Sequence, residues 1–195
     1  ARPELDGETR VRFAERVGEQ LRRLERLIQD VLLFARGEAI GREVIPLTEL
    51  INESAQAVEA LRASREVGLV LRPAAADVVV VGARKPLVGA LVSLLENALQ
   101  ASSAESTVEI EASLADGRVE IGVSDSGCGI ASENLARIFE PFFTTRGQGT
   151  GLGLAIALGV ARSHGGTLEA FSSEGQGSRF VLALPAGAPP VANPG

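Results

Sequence analysis

Near its start the chain carries an apolar residue at every third or fourth position. Ala14, Val17, Leu21, Leu24, Ile28, Val31 and Ala35 are spaced 3, 4, 3, 4, 3, 4. That is the a/d seam of a heptad helix. Arg22, Arg23, Glu25 and Arg26 fall on its polar side. Gly18 weakens the helix interior by about 1 kcal/mol relative to alanine, and Gly37 is a suitable stop. A seam this narrow, followed by the break GEAIGRE, suits one helix of a bundle or dimer stalk better than a helix packed on its own domain.

Beyond the break the period changes. Positions 44–47 read as a short strand. Positions 48–64 read as a helix with Leu50, Ile51, Ala55, Val58 and Leu61 facing inward. Strands are expected over 67–71 and 78–81. A helix is expected over 86–101, with Pro86 in its first turn. Segments 108–114 and 118–124 form a hairpin around Asp116-Gly117. A helix over 152–163 precedes a last strand pair, 167–171 and 178–184. The ending PAGAPPVANPG has no periodicity and is expected to be disordered.

Parallel crossover units would alternate strand and helix more strictly. The order predicts an α+β domain: an α/β sandwich of a mixed sheet with about three helices on one face, preceded by a long helix. The expected organisation is a lead helix over 1–37, a folded domain over 43–185 and a disordered tail over 186–195.

Composition narrows the class. Of 195 residues, 45% are hydrophobic and 23% charged, ordinary for a folded domain. A formal charge of -6 argues against a nucleic-acid-binding surface. Cys128 is the sole cysteine, so no intrachain disulfide is possible and a reducing, cytoplasmic setting fits. No stretch approaches the ~20 apolar residues that span a bilayer, and no signal peptide is visible. The chain has no methionine. It is therefore expected to be a fragment of a longer protein, soluble or membrane-anchored, whose upstream part holds sensors, membrane spans or catalytic groups.

The candidate chemistry lies in the second half: DSGCGI, then FEPFFTTR, then GTGLG before an apolar helix. A P-loop needs Gly-Lys-Ser/Thr, but the only lysine is Lys85, preceded by Arg84. The dinucleotide fingerprint G-x-G-x-x-G fails at Ser132 and again at Ile156. His164 is the only histidine, which excludes H-E-x-x-H metal chemistry, and no nucleophile elbow is present. What remains is a helix N-terminus after Gly149, Gly151 and Gly153, where backbone N–H groups can bind phosphate at close range. Arg146 can add charge there. Asn97, within the apolar run Leu91, Leu94, Leu95, Ala98 and Leu99, offers a hard amide oxygen suited to magnesium. It can equally be an exposed residue beside Glu96 and Gln100. Asp125 can form the turn that follows it or accept a hydrogen bond from an adenine amine.

Together and in this order, SLLENALQAS, DSGCGI, FEPFFTTR, GTGLGLAIA and the closing GQGSRFVLALP resemble the N box, first glycine box, F box, second glycine box and last strand of sensor histidine kinases. The ENALQAS and FFTTR variants are most similar to nitrogen-regulation-type kinases. The resemblance covers about 43–185 and implies the GHKL (Bergerat) ATP-binding fold. It implies ATP and Mg2+ as cofactors, with Asn97 as metal ligand and Asn97 and Arg146 as catalytic groups. The implied nucleotide-binding set adds Gln100, Asp125, Gly127, Gly129, Ile130, Phe142, Thr144, Thr145, Gly149, Thr150, Gly151, Leu152, Gly153 and Ser178. Phe142 and Phe143 would anchor a lid that begins at Phe139. Ser93 departs from the family's usual first asparagine, and Gln100 from its usual lysine, leaving Arg146 to supply charge.

The implied activity is transfer of the γ-phosphoryl group to a histidine, for relay to the receiver domain of a response regulator. The acceptor would sit on the first helix of a dimerisation hairpin. The seam helix would be the second helix of that hairpin, and the full-length protein a homodimer. His164, at a helix C-terminus in Ser-His-Gly-Gly, reads as structural. The fragment is therefore expected to bind Mg-ATP without phosphorylating itself. Alternative readings are another GHKL ATPase, of topoisomerase, mismatch-repair or chaperone type, a sigma-factor-inhibiting serine kinase, and a non-catalytic nucleotide-binding interaction module.

Overall fold

The computed structural model describes residues 41–72, 78–146 and 149–187, together with Arg12, Phe13 and Gly18. The seam positions of the lead helix and residues 188–195 lie outside the described residues.

The described chain opens with β1 (Glu43–Pro46) and passes into α1 (Leu47–Ala57). Leu47, Leu50, Ile51 and Ser54 form the buried stripe of α1. Ser54 is tolerated there because its hydroxyl donates to the Leu50 carbonyl at 2.8 Å, satisfying a group whose burial would otherwise be costly. The predicted helix over 48–64 divides at Val58, whose φ of -99° and ψ of 1° leave the α region. Val58 is 1% exposed, so the kink keeps its side chain in the core. α2 (Glu59–Arg65) follows and ends at Glu66 in the left-handed conformation. Then come β2 (Gly68–Arg72), β3 (Val79–Gly82) and α3 (Arg84–Ala101). The hairpin β4 (Thr107–Ala115) and β5 (Arg118–Asp125) is next, then a short α4 (Ser132–Leu135) that the sequence pattern did not indicate. α5 (Gly153–Ser163), β6 (Thr167–Ser172) and β7 (Ser178–Pro185) complete the domain.

The main sheet has five strands in the order β2-β4-β5-β7-β6. β2 runs parallel to β4, and the remaining pairs are antiparallel. The sheet is therefore mixed, as expected. Strands β1 and β3 do not join it; they pair with each other, Glu43 opposite Gly82 through Pro46 opposite Val79.

Period-2 alternation sends Val108, Ile110, Val119, Ile121, Val123, Phe180, Leu182 and Leu184 to one face, all buried. Leu91, Leu94, Leu95, Ala98 and Leu99 of α3 and Ile156, Ala157 and Val160 of α5 join them in one core. Burying the larger of these side chains contributes roughly 1.5–3 kcal/mol each. The opposite face is polar, with ion pairs Arg179–Glu111 and Arg72–Glu109. This is the one-sided burial typical of largely antiparallel sheets.

The domain runs past the expected boundary at Pro185. Ala186 bridges to Val80 and donates to the Gly117 carbonyl at 2.9 Å, and the Gly187 N–H donates to the Val79 carbonyl at 2.8 Å. These bonds draw the tail's first two residues into the fold and tie the small sheet to the large one.

His164 holds α5 against α3. Its Nε2 accepts the Ala83 backbone N–H at 3.0 Å, so the ring proton lies on Nδ1, which donates to the Val160 carbonyl at 2.8 Å. Both nitrogens are occupied by backbone. Removing the imidazole strands a part-buried N–H at the start of α3. His164→Ala is expected to lower unfolding stability by about 1–3 kcal/mol, read from the midpoint of a urea transition.

Candidate functional site

The site forms where the C-terminal half of α3 meets the end of β5. Asp125 closes β5 opposite Ser178, which opens β7. The half-buried Asp125 carboxylate accepts the Gly127 N–H at 2.8 Å. Burial pushes this carboxyl above its ordinary value; backbone N–H bonds from Gly127 and Ser178 and the charge of Arg146 act against that shift. The turn after Asp125 is pressed against its surroundings. A Cβ on Gly127 would lie 2.3 Å from the Ala101 carbonyl oxygen. A Cβ on Gly129, where φ is +68°, would lie 2.0 Å from the Ser173 carbonyl. Only glycine allows backbone to approach backbone this closely.

A serine network holds the turn from below. Ser172 Oγ accepts the Ile130 N–H at 2.9 Å and donates to the Gly177 carbonyl at 2.7 Å. It also lies 3.1 Å from Ser178 Oγ. Ser178 is 8% exposed. Ser172 and Gly177 were not among the sequence candidates. Ser172 carries no local signal, since its role arises from cross-strand register with Ser178. Gly177 was legible in principle: GQGS has a turn glycine just before the last strand. A Cβ on Gly177 would meet the Asp125 carbonyl at 2.0 Å.

Asn97 and Gln100 project from α3 on the same side, and both meet Arg146. Arg146 Nη1 donates to Gln100 Oε1 at 3.0 Å and to Asn97 Oδ1 at 3.4 Å, while Nη2 donates to the Asn97 carbonyl at 3.2 Å. Burial lowers the pKa of this guanidinium, and Asp125 is among the neighbours that oppose the shift. The segment before Arg146 is folded on itself: the Arg146 N–H donates to Thr144 Oγ1 at 3.1 Å. Thr144 and Thr145 are otherwise exposed.

The glycine run closes the other side. Gly149 donates its N–H to the Arg146 carbonyl at 3.2 Å. Thr150 Oγ1 accepts the Leu152 N–H at 3.3 Å at the entrance to α5. Gly151 accepts the Phe142 N–H at 2.9 Å. Leu152 is buried in the core, and Gly153 opens α5 facing Ser93 of α3, whose Oγ would lie 3.5 Å from a Cβ there. Asn97, Gln100 and Arg146 thus meet the Asp125–Gly127 turn at the C-terminal end of α3, while Gly153 lies against Ser93 at the middle of that helix.

The two adjacent phenylalanines do not anchor the segment together, contrary to what the sequence resemblance implies. Phe142 does not anchor the segment: it is 69% exposed, with φ at +68°. The backbone bond to Gly151 and the turn it closes direct that side chain outward. Phe143 and Phe139 pack against the core instead, and Arg137 lies 4.3 Å from the centroid of the Phe143 ring, a cation–π contact.

Comparison with known proteins matches residues 82–188 to the family described as histidine kinase-, DNA gyrase B-, and HSP90-like ATPase. The chain is 37% identical over 175 residues to the sensor histidine kinase ZraS of Escherichia coli, covering 89% of this chain and 37% of that protein. It is 39% identical over 179 residues to the sensor protein kinase FleS of Pseudomonas aeruginosa, covering 89% and 43%. The chain therefore spans less than half the length of these curated relatives. Among solved structures, full-length ShkA in complex with AMPPNP superposes with a TM-score of 0.78 at 27% identity, over 95% of this chain and 40% of that one. The nucleotide-free catalytic domain of the histidine kinase ThkA superposes with a TM-score of 0.69 at 29% identity, over 75% and 96%.

The raised Asp125 carboxyl has a consequence for stability. A carboxyl that binds its proton more tightly in the folded state opposes folding once the pH exceeds its ordinary value of 3.8. Asp125→Asn keeps the acceptor for the Gly127 N–H and removes that charge. It is expected to raise the melting temperature at pH 7, with the gain vanishing as the pH falls below about 4, measured by calorimetry across pH.

Proposed function

The chain belongs to the histidine kinase-, DNA gyrase B- and HSP90-like ATPase family, and we propose that it is the ATP-binding catalytic core of a sensor histidine kinase. In this reading it transfers the γ-phosphoryl group of Mg-ATP to a histidine elsewhere in the full-length protein, for relay to the receiver domain of a response regulator. One observation carries it: a half-buried carboxylate, a helix amide and a lid guanidinium converge at one end of α3, beside the glycine-rich entrance to α5.

Asp125 accepts the adenine amine, held in place by the Gly127 N–H. The run from Gly149 to Gly153 receives the phosphates at the start of α5; the Gly149 and Leu152 N–H groups, bonded to the Arg146 carbonyl and to Thr150 Oγ1 in the nucleotide-free chain, exchange those acceptors for phosphate oxygens. Asn97 supports magnesium. A single amide oxygen is a suitable protein share for this ion, which keeps waters and phosphate oxygens as its other ligands. Asn97 Oδ1 already faces a cation, Arg146 Nη1 at 3.4 Å. When bound, the metal neutralises charge on the phosphates. In the transfer, the bond from γ-phosphorus to the β,γ-bridging oxygen breaks and a bond to the imidazole nitrogen forms. Arg146 stabilises the spreading charge, and the chain's share of catalysis is positioning and electrostatics.

The position of His164 favours an acceptor elsewhere, because both its ring nitrogens are bonded to backbone. The acceptor helix, a homodimeric full-length form and a cytoplasmic location complete the proposal. No helix among the described residues is long and apolar enough to cross a membrane. The narrower assignment to nitrogen-regulation-type kinases rests on ENALQAS and FFTTR. A hydrolytic ATPase is less favoured, because Ser93 stands where the resemblance puts that enzyme's carboxylate base.

Calorimetric titration tests the pocket. The chain is expected to bind Mg-ADP, and Asn97→Ala to weaken that binding at least about tenfold, roughly the 1.4 kcal/mol of one lost charge-assisted contact. Unchanged affinity in the variant would contradict the assignment. Incubation with γ-radiolabelled ATP is expected to leave the chain unlabelled. An acid-labile, base-stable label on His164 would overturn the external acceptor.

A further inference from the structure

Arg146 is anchored unequally. Its bond to Gln100 Oε1, at 3.0 Å, is the shortest of the three; the Asn97 carbonyl lies at 3.2 Å and Asn97 Oδ1 at 3.4 Å. The Asn97 carbonyl is backbone and cannot vary with sequence, so the side chain that decides whether the guanidinium stays is Gln100. A second cation is close by. Arg65 donates to the Gln100 carbonyl at 3.5 Å, and its charge opposes that of Arg146. Burial opposes that charge most, while Asp125 across the site favours it. A guanidinium held against a like charge and against desolvation needs a good acceptor, and the neutral amide of Gln100 is one. A lysine at this position would put a third cation there and displace Arg146.

We propose that Gln100 is a positioning residue that latches Arg146 across α3, so that the guanidinium occupies the cation position at Asn97 until a metal–nucleotide complex takes it. The proposal rests on the nucleotide-site reading above. Arrival of the metal exchanges one cation for another at Asn97 Oδ1, while Gln100 keeps Arg146 within reach of the phosphates. The latch also sets the backbone before α5. The Thr144–Arg146 turn, the Gly149 N–H bond to the Arg146 carbonyl and the Phe142–Gly151 bond all lie between the latch and that helix. Gln100 therefore couples α3 to the lid without touching the reacting atoms.

Amide hydrogen exchange by NMR on the nucleotide-free chain reads the latch directly. In Gln100→Leu and Gln100→Lys, the amides of Phe142, Arg146 and Gly149 are expected to exchange about tenfold faster, the change from losing one such bond. The amides of Leu94 and Leu95 should be unchanged, and Gln100→Glu, which keeps an acceptor, should restore wild-type rates. Unchanged lid exchange in both Gln100→Leu and Gln100→Lys would overturn the latch. So would equal acceleration at Leu94 and Leu95, which marks general loosening. Titration of the same samples with Mg-ADP separates the two claims. A wild-type chain that binds no Mg-ADP but loses lid protection in Gln100→Leu keeps the latch and sinks the nucleotide reading.

Discussion

The site depends on backbone lying against backbone at the C-terminal end of α3. The Gly127 backbone sits on the Ala101 carbonyl, Gly177 on the Asp125 carbonyl, and Gly129 on the Ser173 carbonyl, with less than 2.5 Å available to any Cβ at each point. These three contacts place the end of β5, the start of β7 and the end of α3 at one locus. A methyl group on Gly127 would push the turn after Asp125 off α3, and one on Gly129 or Gly177 would part that turn from the β6–β7 connection. The five-stranded sheet supplies the register, and the apolar stripe of α3 supplies the adhesion. The close approaches turn that scaffold into a pocket wall.

Charge within the pocket is arranged to be incomplete. Asp125 is half-buried with its carboxyl pushed up by burial, and Arg146 is half-buried with its guanidinium pushed down. Each group would be better solvated outside, and the two mitigate one another across the site. Asn97 and Gln100 contribute neutral oxygens. The cation that these oxygens face in the nucleotide-free chain is Arg146 itself. Among the described residues no cluster of three or more histidine, cysteine, aspartate or glutamate side chains could hold a metal independently.

Much of this was legible in the chain itself. Alternating positions in 108–114 and 118–124 marked a hairpin because one face of that sheet is buried and the other is wet. Gly127, Gly129 and Gly151 stand out in the sequence for a reason the structure supplies: a Cβ at any of them would meet backbone at 2.0–2.4 Å. Other features were not legible, because they arise from tertiary contacts. Val58 divides a continuous helical pattern to keep its side chain in the core. β1 and β3 read as ordinary strands, and nothing local says that they pair apart from the main sheet. Phe142 and Phe143 are adjacent and chemically identical, yet one is exposed and the other packed. Of the two, Phe142 alone has a positive φ, and its backbone lies against Gly151, nine positions along the chain. Ser172 matters only because the β6–β7 register places it opposite Ser178.

The central claim is that this pocket reads adenine through Asp125 and not merely polyphosphate through glycine. Competitive calorimetric titration of the chain with Mg-ATP and Mg-GTP tests it most directly. Guanine carries a carbonyl where adenine has its amine, so it would set an acceptor against the carboxylate and leave both without a donor. Mg-GTP is expected to bind at least about tenfold more weakly than Mg-ATP, and Asp125→Ala to narrow the gap. Equal affinities for the two nucleotides would contradict it.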